Sequence, residues 1–391
     1  MKILIVLTYY RPHTSGLTIY AERLAKAFVQ RGHQVTVLTS QFDRTTALNE
    51  VVDGVRIVRV PVLFRLSKGV IMPKFGRYAT RLVKEHDVVQ LHLPQFDAAG
   101  IAFRGRLWNK PTVITYHCDL KMPPGFISKA ANFAVHLANR LAALFTHGFV
   151  AYTKDFATHS PYLSANLKKV RVIQPPVIMP ETTDQAILDF GKNHQTAEHH
   201  PVIGMATRFA SEKGVEVLLN ALPTVGEKYP NFKVLYAGTY KNVMGEEKYF
   251  ERLFPAIHQY QQQGQWEFLG NLSPFEMAAF YPNLDMICVP SLNSTESFGL
   301  VQIEAMINGT PSIASALPGV RQPVLQHEMG KIVKIGDAQA LAEAIIAIAD
   351  DQKSYVRDPE PIRQFYHPLQ VAQQYEEFFT ELLEEMEQTD G

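Results

Sequence analysis

The sequence predicts an α/β protein made of two Rossmann-like, doubly wound parallel-sheet domains, and three observations carry the prediction. Apolar strand runs alternate with helical patterns, the alternation restarts after residue 200, and 391 residues exceed what one hydrophobic core organises. A hydrophobic share of 46% against 19% charged residues lets each half bury a core of its own.

The first domain is expected over residues 1–178. KILIVLTYY reads as a strand, GLTIYAERLAKAFVQRGH as a helix, QVTVLTS as the next strand and VDGVRIVRVPV as a third, which is a βαβ start. Strands over 87–92, 112–117, 147–153 and 170–175 follow, with helical patterns between several of them. Such a series folds as a parallel sheet with helices on both faces.

Between Met179 and Pro201 the text turns polar and loses any sustained apolar period, so 179–200 is expected to be a linker. Its His194, His199 and His200 have no cysteine or carboxylate cluster beside them and read as solvated. The second domain, 201–368, repeats the alternation with PVIGMATRF, FKVLYAG, WEFLG, DMICVPS and TPSIASA as strands. A last helix over 369–391, apolar at Val371, Tyr375, Phe378, Phe379, Leu382 and Leu383, is expected to pack back toward the first domain.

Composition narrows the function. Lys plus Arg and Asp plus Glu are 38 each, so no general attraction to nucleic acid is expected. The two cysteines, Cys118 and Cys288, fall in different halves, without disulfide or metal spacing, which fits a reducing cytoplasmic location. The apolar stretch 129–150 is interrupted by Asn132, His136, Asn139, Arg140 and His147, too often for a membrane span. Neither domain's first strand is followed by G-x-G-x-x-G, and there is no P-loop, which disfavours nicotinamide and flavin chemistry.

The informative segment is VPSLNSTESFGLVQIEAMINGTPSIAS, 289–315, a strand, a polar loop and a helix starting near Ser297 to Gly299. The amides of Phe298, Gly299 and Leu300 at such a start suit a phosphate. Glu296 and Glu304 are eight positions apart, roughly 12 Å or less at a helical rise of about 1.5 Å, a span that suits the two ends of a sugar-diphosphate-ribose unit. Arg208 and Lys213, five apart just beyond the second domain's first strand, can neutralise a diphosphate. Taken singly, each of these also reads as an ordinary capping acid or a solvated loop charge.

At these residues the chain resembles the retaining glycosyltransferases of the GT-B fold, family four, with their Glu, seven residues, Glu signature. RGHQVTVLT, GMATRFASEKG, FLGNLSPFEMAAFYPNLDMICVPS and ESFGLVQIEAMINGTPSIAS carry the resemblance over nearly the whole chain. It implies two domains facing across a cleft that closes on a nucleotide-sugar donor such as a UDP- or GDP-sugar, with no further cofactor and no metal. Arg208 and Lys213 then fall on the diphosphate, Glu304 on the ribose and Glu296 on the transferred sugar. Phe298, Gly299 and Leu300 meet the sugar and phosphates, Phe268, Leu269, Gly270 and Leu272 flank the base, and Gly16 approaches the donor. His117 matches the family histidine near the donor sugar, with Asp119 supporting it.

The implied reaction is transfer of a hexose to a hydroxyl of a glycan or lipid-linked acceptor, with retention, in envelope or exopolysaccharide synthesis. Ser15 stands where the family often has a glycine, and QPPV at 174–177 where it often reads N-G-V-D. Two other readings stay open: a sugar-nucleotide-binding scaffold without activity, and a metal-dependent hydrolase on His92, His117 and Asp119. Segment 63–87 mixes Arg65, Lys68, Lys74, Arg77, Arg81 and Lys84 with Val70, Ile71, Met72 and Phe75, which admits peripheral contact with an anionic membrane.

Overall fold

Alternate residues of a strand face opposite sides of a sheet, and that pleat sorts this chain into two layered units. The computed structural model describes residues 1–66, 69–120 and 126–390, the side chains of 66, 126–134, 389 and 390 excepted. One unit comprises residues 1–177 and 366–391, the other 178–365.

The first unit holds strands β1 (Lys2–Val6), β2 (Gln34–Ser40), β3 (Asn49–Val52) and β4 (Val55–Val60). A small antiparallel pair, β5 (Phe64–Leu66) and β6 (Gly69–Ile71), follows. Then come β7 (Val88–Leu93), β8 (Thr112–Tyr116), β9 (Gly148–Ala151) and β10 (Val170–Val172). The large sheet runs β10-β9-β8-β7-β1-β2-β4-β3, parallel except for the β3–β4 hairpin. The strand the sequence suggested over 52–62 starts only at Val55, after a turn, and an unforeseen arm over Asn49–Val52 precedes it. Asp53 and Gly54, both at positive φ, turn the chain between the hairpin's arms, as Asp-Gly does in tight hairpins.

Leu4, Val6, Leu91, Leu93, Ile114 and Tyr116 join one core layer beneath the helices Phe75–Glu85 and Ala98–Leu107. The other face carries the helix Gly16–Gln30 and the terminal helix Pro368–Asp390, which pack on each other. Phe378 of the terminal helix lies so close to β9 that a Cβ at Gly148 would stand 2.4 Å from its ring. The chain leaves this unit through QPPV and re-enters at Tyr366, where Val177 N donates to Tyr366 O at 2.9 Å. Arg23 Nη1 reaches Pro176 O at 3.4 Å, so the unusual QPPV segment is extended and tied down.

The second unit holds β11 (Val202–Ala206), β12 (Lys233–Ala237), β13 (Trp266–Gly270), β14 (Met286–Val289), β15 (Ser312–Ser315) and β16 (Gly330–Val333). All are parallel, in the order β13-β12-β11-β14-β15-β16. Met205, Tyr236, Trp266 and Cys288 face one core layer; Leu235, Ala237 and Ile287 face the other.

The expected linker is not one. Residues Asp184–Asn193 form a helix capped by the Thr183 hydroxyl, and a 3-10 turn follows at Thr196–Glu198. This helix buries little beyond Phe190, whose ring packs edge-on to Phe280 at 6.1 Å, so its sequence lacks the apolar period that marks most helices. His194 is likewise not solvated: its Nδ1 meets Glu267 Oε1 at 2.6 Å.

Candidate active site

In an open parallel sheet the ligand crevice opens at the strand C-termini, where the strand order reverses. In the second unit that point lies between β11 and β14, and the loops leaving those two strands carry Arg208, Lys213 and Glu296. The loops are joined by backbone. Gly214, at φ +73°, comes so near the second loop that a Cβ there would stand 2.0 Å from Pro290 O. Leu292 N donates to Glu212 O at 2.8 Å.

Across this junction Lys213 Nζ donates to Glu296 Oε2 at 2.6 Å, and Gly299 N donates to Glu296 Oε1 at 3.0 Å. A carboxylate is thus held between a cation and a helix-start amide, both half-buried or buried. Arg208 pairs with Glu212 four residues on. The helix itself, Leu300–Met306, is shorter and starts later than the sequence suggested, with Gly299 at φ +81° as its cap. Its seven residues make a weak dipole, so local amides rather than a long helix supply the positive character.

Glu304 lies within that helix, and its Oε2 accepts the Tyr281 hydroxyl at 2.9 Å. Tyr281 is fully buried, and its carbonyl is tied by Thr310 Oγ1 at 2.6 Å, so the phenol is a fixed support for the carboxylate. Gln302 anchors the helix from below, donating to Phe298 O and Val320 O, both at 2.8 Å.

The FLGNL residues sit at the end of β13. Phe268 and Leu269 point to opposite faces of the sheet, Phe268 stacking on Tyr240 with centroids 4.1 Å apart and Leu269 joining the second core layer with Leu272. Their side chains therefore do not line one surface. Gly270, at φ +71°, receives Gly238 N at 2.6 Å on its carbonyl and has open space beside its Cα.

In the first unit, His92 on β7 sits opposite Thr115 on β8, and the same pleat places Gln90, His92, Thr115 and His117 on one face. His92 Nδ1 lies 2.8 Å from His117 Nε2, and the Tyr152 hydroxyl meets His117 Nδ1. Burial pushes the His92 imidazole down to about 3 and, with His92 adding to it, holds His117 well below the ordinary histidine range. Both rings are neutral at physiological pH.

Asp119 does not join them. Its Oδ1 accepts the Tyr116 hydroxyl at 2.9 Å and Ser160 Oγ at 2.7 Å, and Tyr116 belongs to the opposite face of β8. His92, His117 and Asp119 therefore form no ligand set, and among the described residues no group of three or more His, Cys, Asp or Glu side chains is placed to hold a metal. Gly16 opens the helix after β1, and Ser15 caps it through Oγ, receiving Thr18 N at 3.2 Å. A capping serine thus works where the family often has glycine.

Sequence reasoning missed Glu212, Tyr281, Tyr152 and Gln302, which hold the named residues. Only Glu212, at the i+4 position from Arg208, left a signal in the spacing.

A family model described as Glycosyltransferase Family 4 matches residues 14–179, and one described as Glycosyl transferases group 1 matches 189–360. The chain is 24% identical over 360 residues to a phosphatidyl-myo-inositol mannosyltransferase of Mycolicibacterium smegmatis, covering 90% of this chain and 86% of that one. It is 27% identical over 366 residues to a D-inositol 3-phosphate glycosyltransferase of Xylanimonas cellulosilytica, covering 86% and 84%. Among solved structures, Anabaena HepE in complex with UDP-glucose superposes with a TM-score of 0.77 at 19% identity, over 97% of this chain and all of that one. With one family model on each of its Rossmann-like units, the chain belongs to the GT-B glycosyltransferases of group 1 and family 4.

Proposed function

We propose that the chain transfers a hexose from a nucleotide-sugar to a hydroxyl of a glycan or lipid-linked acceptor, with retention of configuration and without a metal. The observation that carries the reading is the Lys213–Glu296–Gly299 junction at the reversal point of the second sheet. A donor diphosphate competes with Glu296 for the lysine and the amide, and the released carboxylate takes hydroxyls of the sugar. Arg208 exchanges Glu212 for phosphate in the same way, and Glu304, steadied by Tyr281, accepts the ribose hydroxyls. The UDP-glucose bound to HepE favours a uridine over a guanosine donor.

No carboxylate here is assigned as a nucleophile. Retention then follows from attack on the face the diphosphate leaves, through an oxocarbenium-like state whose departing charge Arg208 and Lys213 neutralise. His117 contributes a neutral, oriented imidazole. Relatives named for phosphatidyl-myo-inositol and D-inositol 3-phosphate support a hydroxyl acceptor that includes lipid-linked ones.

The deciding experiment is a thermal-shift screen of nucleoside diphosphates and nucleotide-sugars, followed by turnover and anomeric NMR of the product. Stabilisation by UDP-sugars that Lys213→Ala abolishes, and activity that survives a chelator, are expected. Turnover unchanged in both Lys213→Ala and Glu296→Ala would end the proposal.

Peripheral contact with an anionic membrane is the second part of the proposal. Lys74, Arg77, Arg81 and Lys84 form one exposed stripe at helical spacing on Phe75–Glu85. Met72 and Phe75 are core and leave the patch, and Lys68 lies outside the described residues. Phe103 and Leu107 on the adjoining helix, beside Arg104 and Arg106, are also exposed, Phe103 packing edge-on to Phe145. Among the described residues no helix is long and apolar enough to cross a membrane. Binding to anionic but not neutral vesicles is expected; negligible binding to both removes this part.

A further inference from the structure

Gln90, His92, Thr115 and His117 share the sheet face that the helices Gly16–Gln30 and Pro368–Asp390 cover. Tyr20 stands edge-on to both imidazoles, 5.7 Å from His92 and 5.1 Å from His117 between centroids, and stacks on Tyr152 at 5.4 Å. Its hydroxyl meets that of Tyr375 at 2.7 Å, and Tyr375 meets Thr115 Oγ1 at 2.8 Å. His92 Nε2 is buried with no hydrogen-bond partner among the described residues.

That unpartnered nitrogen decides the proton positions. A neutral imidazole has one N–H and one bare nitrogen, so in the contact between His92 Nδ1 and His117 Nε2 one ring donates and the other accepts. If His117 donated, His92 would carry its own proton on Nε2, where nothing accepts it. If His92 donates, only a bare nitrogen is left alone. Buried donors without acceptors are rarer in native proteins than acceptors without donors.

We propose that His92 is a positioning residue, which donates from Nδ1 to His117 Nε2 and so holds His117 in the tautomer protonated on Nδ1, that proton going to the Tyr152 oxygen. The inference rests on the reading of His117 as a site group. With both nitrogens engaged inside the unit, His117 acts in the reaction as a fixed neutral dipole, not as a proton carrier. The burial that suppresses protonation of both rings supports the same arrangement.

The test is two-bond proton–nitrogen correlation NMR on the full chain with labelled histidine, joined to kinetics. In the unaltered protein His117 is expected protonated on Nδ1 and bare on Nε2. His92→Asn keeps an amide where Nδ1 was and retains that pattern; His92→Gln and His92→Leu lose it. For His92→Leu kcat falls about tenfold or more while KM for the nucleotide-sugar stays within about twofold, and His92→Asn recovers most of the loss. A His117 protonated on Nε2, or a His117 tautomer unmoved in His92→Leu, overturns the proposal. Should His92→Leu fail to fold, the unaltered protein and His92→Asn still decide it by spectrum. Full turnover in His117→Ala would instead remove His117 from the site while the tautomer result stood, so the two failures are distinct.

Discussion

Lys213 Nζ lies 2.6 Å from Glu296 Oε2, although these two residues stand on separate loops and are 83 positions apart. The lysine is spent on a carboxylate, which in the proposed function the donor's diphosphate displaces. Glu296→Gln is therefore expected to tighten binding of a nucleoside diphosphate lacking sugar by about threefold to tenfold, while lowering turnover of the nucleotide-sugar by roughly a hundredfold. Calorimetric titration beside steady-state kinetics checks both; equal losses in the two would contradict the displacement.

Tyr281 bonds the proposed ribose acid. Tyr281→Phe removes the hydroxyl that bonds Glu304. KM for the nucleotide-sugar should rise roughly threefold to tenfold with kcat nearly unchanged, a pattern expected of lost binding that is equal in ground and transition states.

Gly214 is fixed by both conformation and space, with φ at +73° and Pro290 O 2.0 Å from where a Cβ would be. Gly214→Ala is expected to cost at least about 2 kcal/mol by denaturant titration and to raise KM, because Lys213 moves with its neighbour. Wild-type stability and KM would show that the loops yield at no cost.

Buried neutral histidines make stability depend on acid. His92 and His147 are pushed down from 6.5 to about 3 and about 4, both chiefly by burial. Unfolded, each takes up a proton below about 6.5; folded, neither does until far lower, so their stabilisation is complete above that pH and is lost as pH falls toward the folded values. Between pH 6.5 and 5.5 each should remove about 1 kcal/mol of unfolding free energy, measurable by urea titration at the two pH values. A flat profile there would contradict the burial of these rings.

The strands were legible because burial on both sheet faces writes apolar runs such as ILIV of β1 and MICV of β14, whereas GKIV of β16, at the sheet edge, half-buried and carrying Lys331, writes no such run and was not among the expected strands. The helix Asp184–Asn193 was not legible, since one buried phenylalanine sets no period; only Thr183 before Asp184 hinted at a cap. Site residues on loops after strands, such as Lys213 and Glu296, could be named from their positions. Which of them bond one another could not, because Arg208–Glu212 and Tyr281–Glu304 depend on side-chain reach. The His92–His117 contact lies between: Q-x-H and T-x-H each announce a common face, but only the register of β7 on β8 makes the two meet.

The return of the backbone at Tyr366, held by Val177 N, has a consequence during synthesis. A ribosome delivers the entire second unit before the first receives Tyr375 and Phe379, which pack against Tyr20 and Phe28. The nascent first sheet waits with part of one face uncovered until the helix Pro368–Asp390 is made, after all six strands of the second unit's sheet. Stop codons just before Pro368 should thus spoil the earliest-made unit first.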